Sequence, residues 1–301
     1  MEFGLSSPAA GNPGYRRDRP DGSDDGVILS SRPVISRSHP IARRLRALKA
    51  DRELRDREQV LVGEGPHLAD EALRSGASIE LALASPRLLA TAEGRALSGR
   101  LGRAGVPLHE ASDGTLESLS DARAPQPVIV LVRRLERSLE EILVGTSGPA
   151  LAVLACGIQD PGNLGAIVRI ADAAGGTGVI ATPGSADLFH PRAVRASAGS
   201  IFRMPVLERD AERVAREARD AGLLLVGADP RGPASYDAFD WRRPTALVLG
   251  GEGAGLPPGI AGALDARLAV PMRAPVESLS VAAAAAVFLF EARRQRSIRA
   301  G

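Results

Sequence analysis

The residues best placed to do chemistry lie in the second half of this 301-residue chain, in small-residue-rich segments that follow one another in a fixed order. The first is DPGNLGAIVRIADAAGG, Asp160 to Gly176. Asp160-Pro161-Gly162 turns the chain out of a strand, and Asn163 suits the N-cap of a helix because its side chain can accept an orphan amide hydrogen bond. Leu164, Ile167, Val168 and Ala171 form a buried stripe. Gly165, Arg169 and Asp172 share the opposite face. A glycine one turn from an arginine keeps that face low, so a phosphate backbone or a partner helix can come close. The residues alone equally allow an exposed Arg169–Asp172 pair, worth about 0.2–0.5 kcal/mol.

Next comes FHPRAVRASAGSIFRMPV, starting at Phe189. His190, Arg192 and Arg195 precede the small run Ala196 to Ser200, a pattern suited to phosphate contacts. Phe189 is available to stack on a base, and an ordinary charged surface loop is the bland alternative. LVLGGEGAGLP, Leu247 to Pro257, sets Gly250, Gly251 and Gly253 at the C-terminal end of an apolar strand. Ligands bind at such strand ends in α/β sheets, and glycine lets backbone amides approach them. A dinucleotide fingerprint is not met, because Leu256-Pro257-Pro258 interrupts the helix that it requires. The last segment is VPMRAPVESLSVAAAAAVF, Val270 to Phe288. A strand ends at Pro271, Ser278 is placed to cap the next helix, and Ala282 to Ala286 give that helix no bulk. Composition alone would also fit a plain buried Ala-rich helix.

In this order and spacing the segments resemble the SpoU/TrmH family of RNA ribose methyltransferases, of the SPOUT superfamily. The resemblance is specific over about Leu151 to Arg296. It is looser over Val34 to Arg134, where EGPHLADEAL and APQPVIVLV carry it. It implies an α/β fold whose C-terminal doubly wound parallel sheet holds a deep trefoil knot, preceded by a small α/β RNA-binding domain. It implies S-adenosylmethionine as cofactor, held by Leu249, Gly250, Gly251, Glu252 and Gly253 and by Val270, Met272, Ser278, Leu279 and Ser280. Asn163 and Arg169 match the family's active-site positions, and Arg192, Arg195 and Ser197 match its basic loop and Ser-x-Gly element. An arginine is a poor general base, since its pKa exceeds about 12. The role expected of Arg169 is therefore to grip the phosphate beside the target ribose and align the 2′-hydroxyl.

The resemblance also implies a homodimer, for which the Gly165/Arg169 face and the Ala-rich last helix are low enough. It favours ribosomal RNA over transfer RNA, on the strength of the added N-terminal domain. The chain departs from the family in having Gly251 and Ser280 where asparagines are usual. Those departures keep open a non-catalytic RNA-binding or ribosome-assembly protein with the same fold. Asn163, Arg169 and Glu252 favour the enzyme. A transfer-RNA-directed methyltransferase is the other alternative.

The elements that must position these residues follow from composition and pattern. With 44% hydrophobic residues the chain can bury real cores, and its length suits two domains and a tail. Residues 1–33, rich in Gly, Pro, Ser, Asp and Arg, read as a disordered tail. Residues 34–134 alternate strands and helices as a small α/β sandwich, opened by a charged helix with Ile41, Leu45 and Leu48 at helical spacing. The basic face of that helix is a candidate RNA contact. Residues 135–150 read as a linker. Residues 151–301 form the catalytic domain, with strand candidates ALAVLACGI, TGVIAT, LLLVGAD, TALVLGG and ARLAVPM separated by helices.

Net charge is only +2, against 38 Lys and Arg, mostly Arg. That argues against an overall basic coat and allows a local patch of phosphate-matching forks. Cys156 is the single cysteine and sits among apolar residues, so it reads as a buried core residue with no disulfide or cysteine-based zinc site. The four histidines, His39, His67, His109 and His190, lack ligand spacing, and no metal is expected. No apolar run reaches the ~18 residues of a membrane span, and no secretory pattern opens the chain, so a cytoplasmic protein is expected.

Overall fold

The computed structural model describes residues 34–145, 148–251, 255–256 and 258–297. The expected tail, residues 1–33, lies outside them. The first unit runs α1 (Pro40–Ala50), α2 (Arg52–Glu58), β1 (Val60–Glu64), α3 (Pro66–Arg74), β2 (Ile79–Ala84), α4 (Pro86–Leu89), α5 (Ala92–Arg103), β3 (Leu108–Glu110), α6 (Asp113–Leu119) and β4 (Val128–Arg133). Its sheet has the order β1-β4-β2-β3, with only β2 and β3 parallel.

The charged opening segment is two helices, not one. Asp51 takes an extended conformation, closes α1 through its N–H to the Ala47 carbonyl, and caps α2 by accepting from Leu54 N. An aspartate at this point satisfies the orphan donors of a new helix better than it continues the old one. The break turns two basic side chains inward: Lys49 and Arg55 are buried. The expected basic face is therefore partly an internal feature. The stretch read as a linker contains α7 (Leu139–Val144), capped reciprocally by Ser138 and Glu141, with Leu139, Ile142 and Leu143 buried.

The second unit continues with β5 (Leu151–Cys156), α8 (Pro161–Ala174), β6 (Gly178–Ala181), α9 (Pro191–Ala196), β7 (Val206–Glu208), α10 (Ala211–Asp220), β8 (Leu224–Ala228), β9 (Ala234–Ser235), β10 (Thr245–Gly250), α11 (Pro258–Ala261), β11 (Ala266–Ala269) and α12 (Val281–Ser297). Its seven strands are all parallel, in the order β7-β6-β5-β10-β8-β11-β9. β5 is apolar and buried along its length, and β10 is apolar from Ala246 to Leu249, as central parallel strands must be. β7 and β9, two short edge strands, carry too few residues to stand out as a pattern.

One apolar core runs through both units. Leu61 and Val130 of the first sheet and Val153 and Leu247 of the second belong to it, joined by Ile201 and Phe202 of a short turn, Ser200–Phe202. α12 closes the second unit against α8. Its Ala285 and Ala292 are completely buried, while Trp241 and Phe288 meet edge to face beside it. Arg296, near its end, donates to the carbonyls of Trp241, Pro149, Ala150 and Arg243.

Candidate functional site

Beyond the C-terminal ends of β10, β8 and β11 lies a cavity of about 540 Å³. That is within the range of small-molecule sites, roughly 300–1,000 Å³, and at the end of the sheet where such ligands bind. Leu249, Gly250 and Gly251 form one wall, and Val270, Met272, Ser278 and Leu279 another. Leu268 and Phe288 supply an apolar floor, and Asp229 and Arg231 add charge. The glycines are required by close backbone passage. A Cβ on Gly250 would lie 2.5 Å from the Gly255 carbonyl carbon, and one on Gly251 would overlap the Gly157 carbonyl oxygen. Gly251 and Gly255 also pair as an isolated bridge. So Gly251 is a packing necessity in this chain rather than a missing side-chain contact. Glu252 and Gly253 lie outside the described residues.

Ser280 does not line the cavity. Its Oγ accepts from Ala283 N and its carbonyl from Ala284 N, so it caps α12. The cap expected of Ser278 belongs to Ser280, and Ser278 is exposed on the cavity wall.

The helix after β5 differs in a similar way. Asp160, not Asn163, is the N-cap of α8: its Oδ1 accepts from Asn163 N at 3.0 Å, which places Asn163 in the first turn. The other carboxylate oxygen of Asp160 meets Arg192 Nη2 at 2.9 Å. Leu164, Ile167, Val168 and Ala171 are buried as the stripe required. Gly165 is also buried, because α9 crosses it, and a Cβ there would overlap the Ala193 carbonyl. The low face at Gly165 thus serves packing within the chain, which removes that argument for a subunit interface.

Asp172 does not pair with Arg169. It accepts from Ser200 Oγ at 2.7 Å and from Arg203 Nη2 at 2.6 Å. Arg169 is exposed and has no ion pair or hydrogen bond among the described residues. Arg195, on α9, is in the same state. Gly165 against Ala193 and Asp172 against Ser200 set a register in which Arg169 lies between the two contacts.

These observations meet known proteins at every level. The SpoU rRNA Methylase family matches residues 150–290, and an MRM3-like substrate binding domain matches residues 39–130. The chain is 31% identical over 230 residues to the 23S rRNA (guanosine(2553)-2'-O)-methyltransferase RlmP of Bacillus subtilis, covering 76% of this chain and 87% of that one. The chain belongs to the SpoU family. Among solved structures, the SpoU methyltransferase AviRb of Streptomyces viridochromogenes with AdoMet superposes with a TM-score of 0.76 at 30% identity, over 86% of this chain and 98% of that one. The AdoMet-bound rRNA methyltransferase of Sinorhizobium meliloti superposes at 0.75 and 30%, over 87% and 97%.

Within this SpoU frame two expected contacts change. Ser197 is fully buried and donates to the Val194 carbonyl at 2.7 Å, so its hydroxyl braces the end of α9 instead of standing at the surface. Phe189 is covered by the Arg134 guanidinium, 3.8 Å from its ring centroid, and is not a base-stacking platform. His190 caps α9 by accepting from Arg192 N, and its ring pKa is held down by burial and by the Arg55 charge. Cys156 is buried, with its thiol pushed up to about 12 by desolvation. No cluster that could hold a metal occurs among the described residues, and no helix there is long and apolar enough to cross a membrane.

Sequence reasoning missed the residues that join the two units. Arg55 and Asp187 form an ion pair at 2.6 Å with side chains 2% and 8% exposed. Glu71, Arg203 and Asp172 form a second link. No local pattern marks such pairs. A buried arginine inside a highly charged helix looks the same in sequence as its exposed neighbours.

Proposed function

We propose that this chain transfers a methyl group from S-adenosylmethionine to a ribose 2′-hydroxyl of ribosomal RNA, acting in the cytoplasm as a homodimer. The observation that carries the reading is the cavity bounded by Leu249 to Gly251 and Val270 to Leu279, together with Arg169 on α8, whose side chain has no partner among the described residues. The cavity fits the cofactor: its size suits a nucleoside, and Leu249, Leu268, Met272 and Phe288 give apolar walls for a base. Polar backbone along the two loops can take up the ribose and the amino-acid end.

When bound, the cofactor would supply a sulfonium methyl already activated for attack by the 2′-hydroxyl, with S-adenosylhomocysteine as the leaving group. What remains for the protein is binding, alignment and exclusion of water. The planar fork of Arg169 holds the phosphate next to the reacting ribose. The hydroxyl proton passes to a phosphate oxygen or to water. Holding the two reactants in line can supply much of the acceleration. Arg195 adds a second phosphate contact, and Arg192 can join it by exchanging Asp160 for phosphate.

The dimer reading is supported by placement. Neither Asn163 nor Arg169 lines the cavity of its own chain. In the family, the cofactor loops of one subunit meet the motif arginine of the other, which would complete the site. The trefoil knot remains what the family implies for this domain. Ribosomal RNA is preferred because the relatives from Bacillus subtilis and Sinorhizobium meliloti are named as rRNA methyltransferases, and because the substrate-binding match covers the first unit.

The test is methyl transfer to deproteinised ribosomal RNA, followed by mapping of 2′-O-methyl sites with and without the protein. A new site at one nucleotide is expected. Cofactor and RNA binding without transfer would assign the chain to the non-catalytic assembly role. Methylation of transfer RNA alone would move the substrate class. Light scattering should give twice the chain mass, and a fully active monomer would refute the shared site.

A further inference from the structure

We propose that the first unit fixes the geometry of the basic segment 187–203, and that Arg55 is the positioning residue that does so. This rests on the reading of that segment as a phosphate-binding element.

Arg55 is 1% exposed although it sits in one of the most charged stretches of the chain. Its Nη1 donates to the carbonyls of Leu48 at 2.5 Å and Lys49 at 3.0 Å, the last turn of α1. Its Nε and Nη2 donate to Asp187 Oδ2 at 3.2 and 2.6 Å. The guanidinium is thus anchored on the first unit and clasps one carboxylate of the second. Asp187 passes the constraint on: its Oδ1 accepts from Phe189 N at 2.8 Å and its carbonyl from His190 N at 3.1 Å. His190 Nδ1 in turn accepts from Arg192 N at 3.1 Å and starts α9. A continuous hydrogen-bonded path therefore leads from Arg55 to the helix that carries Arg192 and Arg195. Arg134, also from the first unit, covers Phe189 within the same turn.

The far end of the segment is held by the same unit. His67 Nε2 meets the Ala198 carbonyl at 3.2 Å. Ala198 has φ +48°, a conformation that a non-glycine residue keeps only when its surroundings impose it. Arg203 bridges Glu71 of α3, at 2.7 Å, and Asp172 of α8, at 2.6 Å. Arg192 and Arg195 thus project from a short stretch pinned on both sides by the first unit. A buried ion pair is a poor source of net stability compared with packed apolar side chains, whereas it fixes geometry tightly. That contrast assigns the Arg55–Asp187 pair to positioning.

The test uses the full chain as Arg55→Met, Arg55→Lys and His67→Ala, with in vitro transcribed 23S rRNA as probe. Hydrogen exchange is expected to speed up at the amides of 190–197 in Arg55→Met by more than it does in α12, whose change follows the loss of global stability alone. RNA affinity is expected to fall about tenfold, with partial rescue by lysine, while S-adenosylmethionine affinity stays within about twofold. Arg195→Ala should weaken RNA binding less in the Arg55→Met background than in the wild type, because the arginine has already lost its placement. Additive losses, or unchanged exchange at 190–197, would overturn the proposal. Should Arg55→Met not fold, His67→Ala carries the same measurements at an exposed side chain, with the same overturning outcome. Faster exchange at 190–197 in a protein whose wild type binds no RNA would uphold the positioning and defeat the RNA reading instead.

Discussion

Arginines at the seam between the two units and arginines on the outer face of α8 and α9 are the same residue put to opposite uses. At the seam, Arg55 is fully enclosed and hydrogen-bonded, and Arg134 has a side chain 6% exposed, bonded to Asp56 and the Val60 carbonyl. Burial, joined by the charge of Arg55, pushes the Arg134 pKa down, with Asp56 and Asp187 opposing that shift. On the outer face, Arg169 and Arg195 are exposed and have no partner among the described residues. Buried charge must be paired to be tolerated. Exposed charge without an ion pair among the described residues stays available for a polyanion. The difference separates arginines that hold this protein together from arginines left open for the RNA proposed as its substrate, and it does so within about 140 residues of one chain.

The sharpest way to break the comparison is to remove the cavity while leaving both sets of arginines intact. Gly251→Val places side-chain atoms on the Gly157 carbonyl, and the loop must move. Loss of S-adenosylmethionine binding by more than about 100-fold in calorimetry is expected, corresponding to about 2.7 kcal/mol. Unchanged affinity would remove this cavity from the cofactor reading.

At the seam, Arg55→Met leaves Asp187 buried and unpaired. Breaking a buried pair on one side typically costs about 3–5 kcal/mol. A much lower denaturant midpoint is expected. The thiol of Cys156 offers the check: enclosed, and with its pKa raised to about 12, it should resist labelling until the chain unfolds. An unaltered labelling midpoint in Arg55→Met would show that the pair is dispensable.

On the outer face, Arg169→Ala should leave folding and cofactor affinity unchanged and slow single-turnover methyl transfer on the order of 10²-fold. Lysine should rescue poorly, because it lacks the bidentate fork. Equal rates for wild type and Arg169→Ala would leave Arg169 as an ordinary surface residue.

How far these roles could be read beforehand depends on the range of the interaction. The parallel strands were legible because buried strands are continuous apolar runs, and the glycine and proline punctuation around Leu249–Gly251 and Val270–Leu279 marked the strand ends that form the cavity. Capping was legible only as a region. Asp160, Asn163, Ser278 and Ser280 are all competent capping types, and which of them caps depends on where the helix starts. Pairings across the fold were not legible. Asp172 is three residues from Arg169 but meets Arg203, whose approach is set by Gly165 packing on α9. Ser197 and Phe189 match the residue types of an RNA contact, yet Ser197 is buried at the end of α9 and Phe189 is covered by Arg134.

Arg192 stands between the two classes, and that makes it the place to sharpen the distinction. Its side chain is 56% exposed, yet it pairs with Asp160 at 2.9 Å. Asp160 also caps α8, so two substitutions separate its jobs. Asp160→Asn keeps a capping oxygen and removes the charge; an exposed pair of this kind is worth about 0–1 kcal/mol, so stability should barely change. Asp160→Ala removes the cap as well and should cost about 1 kcal/mol more. RNA binding should respond in the opposite sense. With Asp160 uncharged, Arg192 no longer exchanges one anion for another when it meets a phosphate. Affinity for ribosomal RNA should rise slightly in Asp160→Asn, and the slope of log affinity against log salt should steepen by about one contact. An unchanged slope would place Arg192 with the seam arginines, as a residue whose partner is already chosen inside the protein.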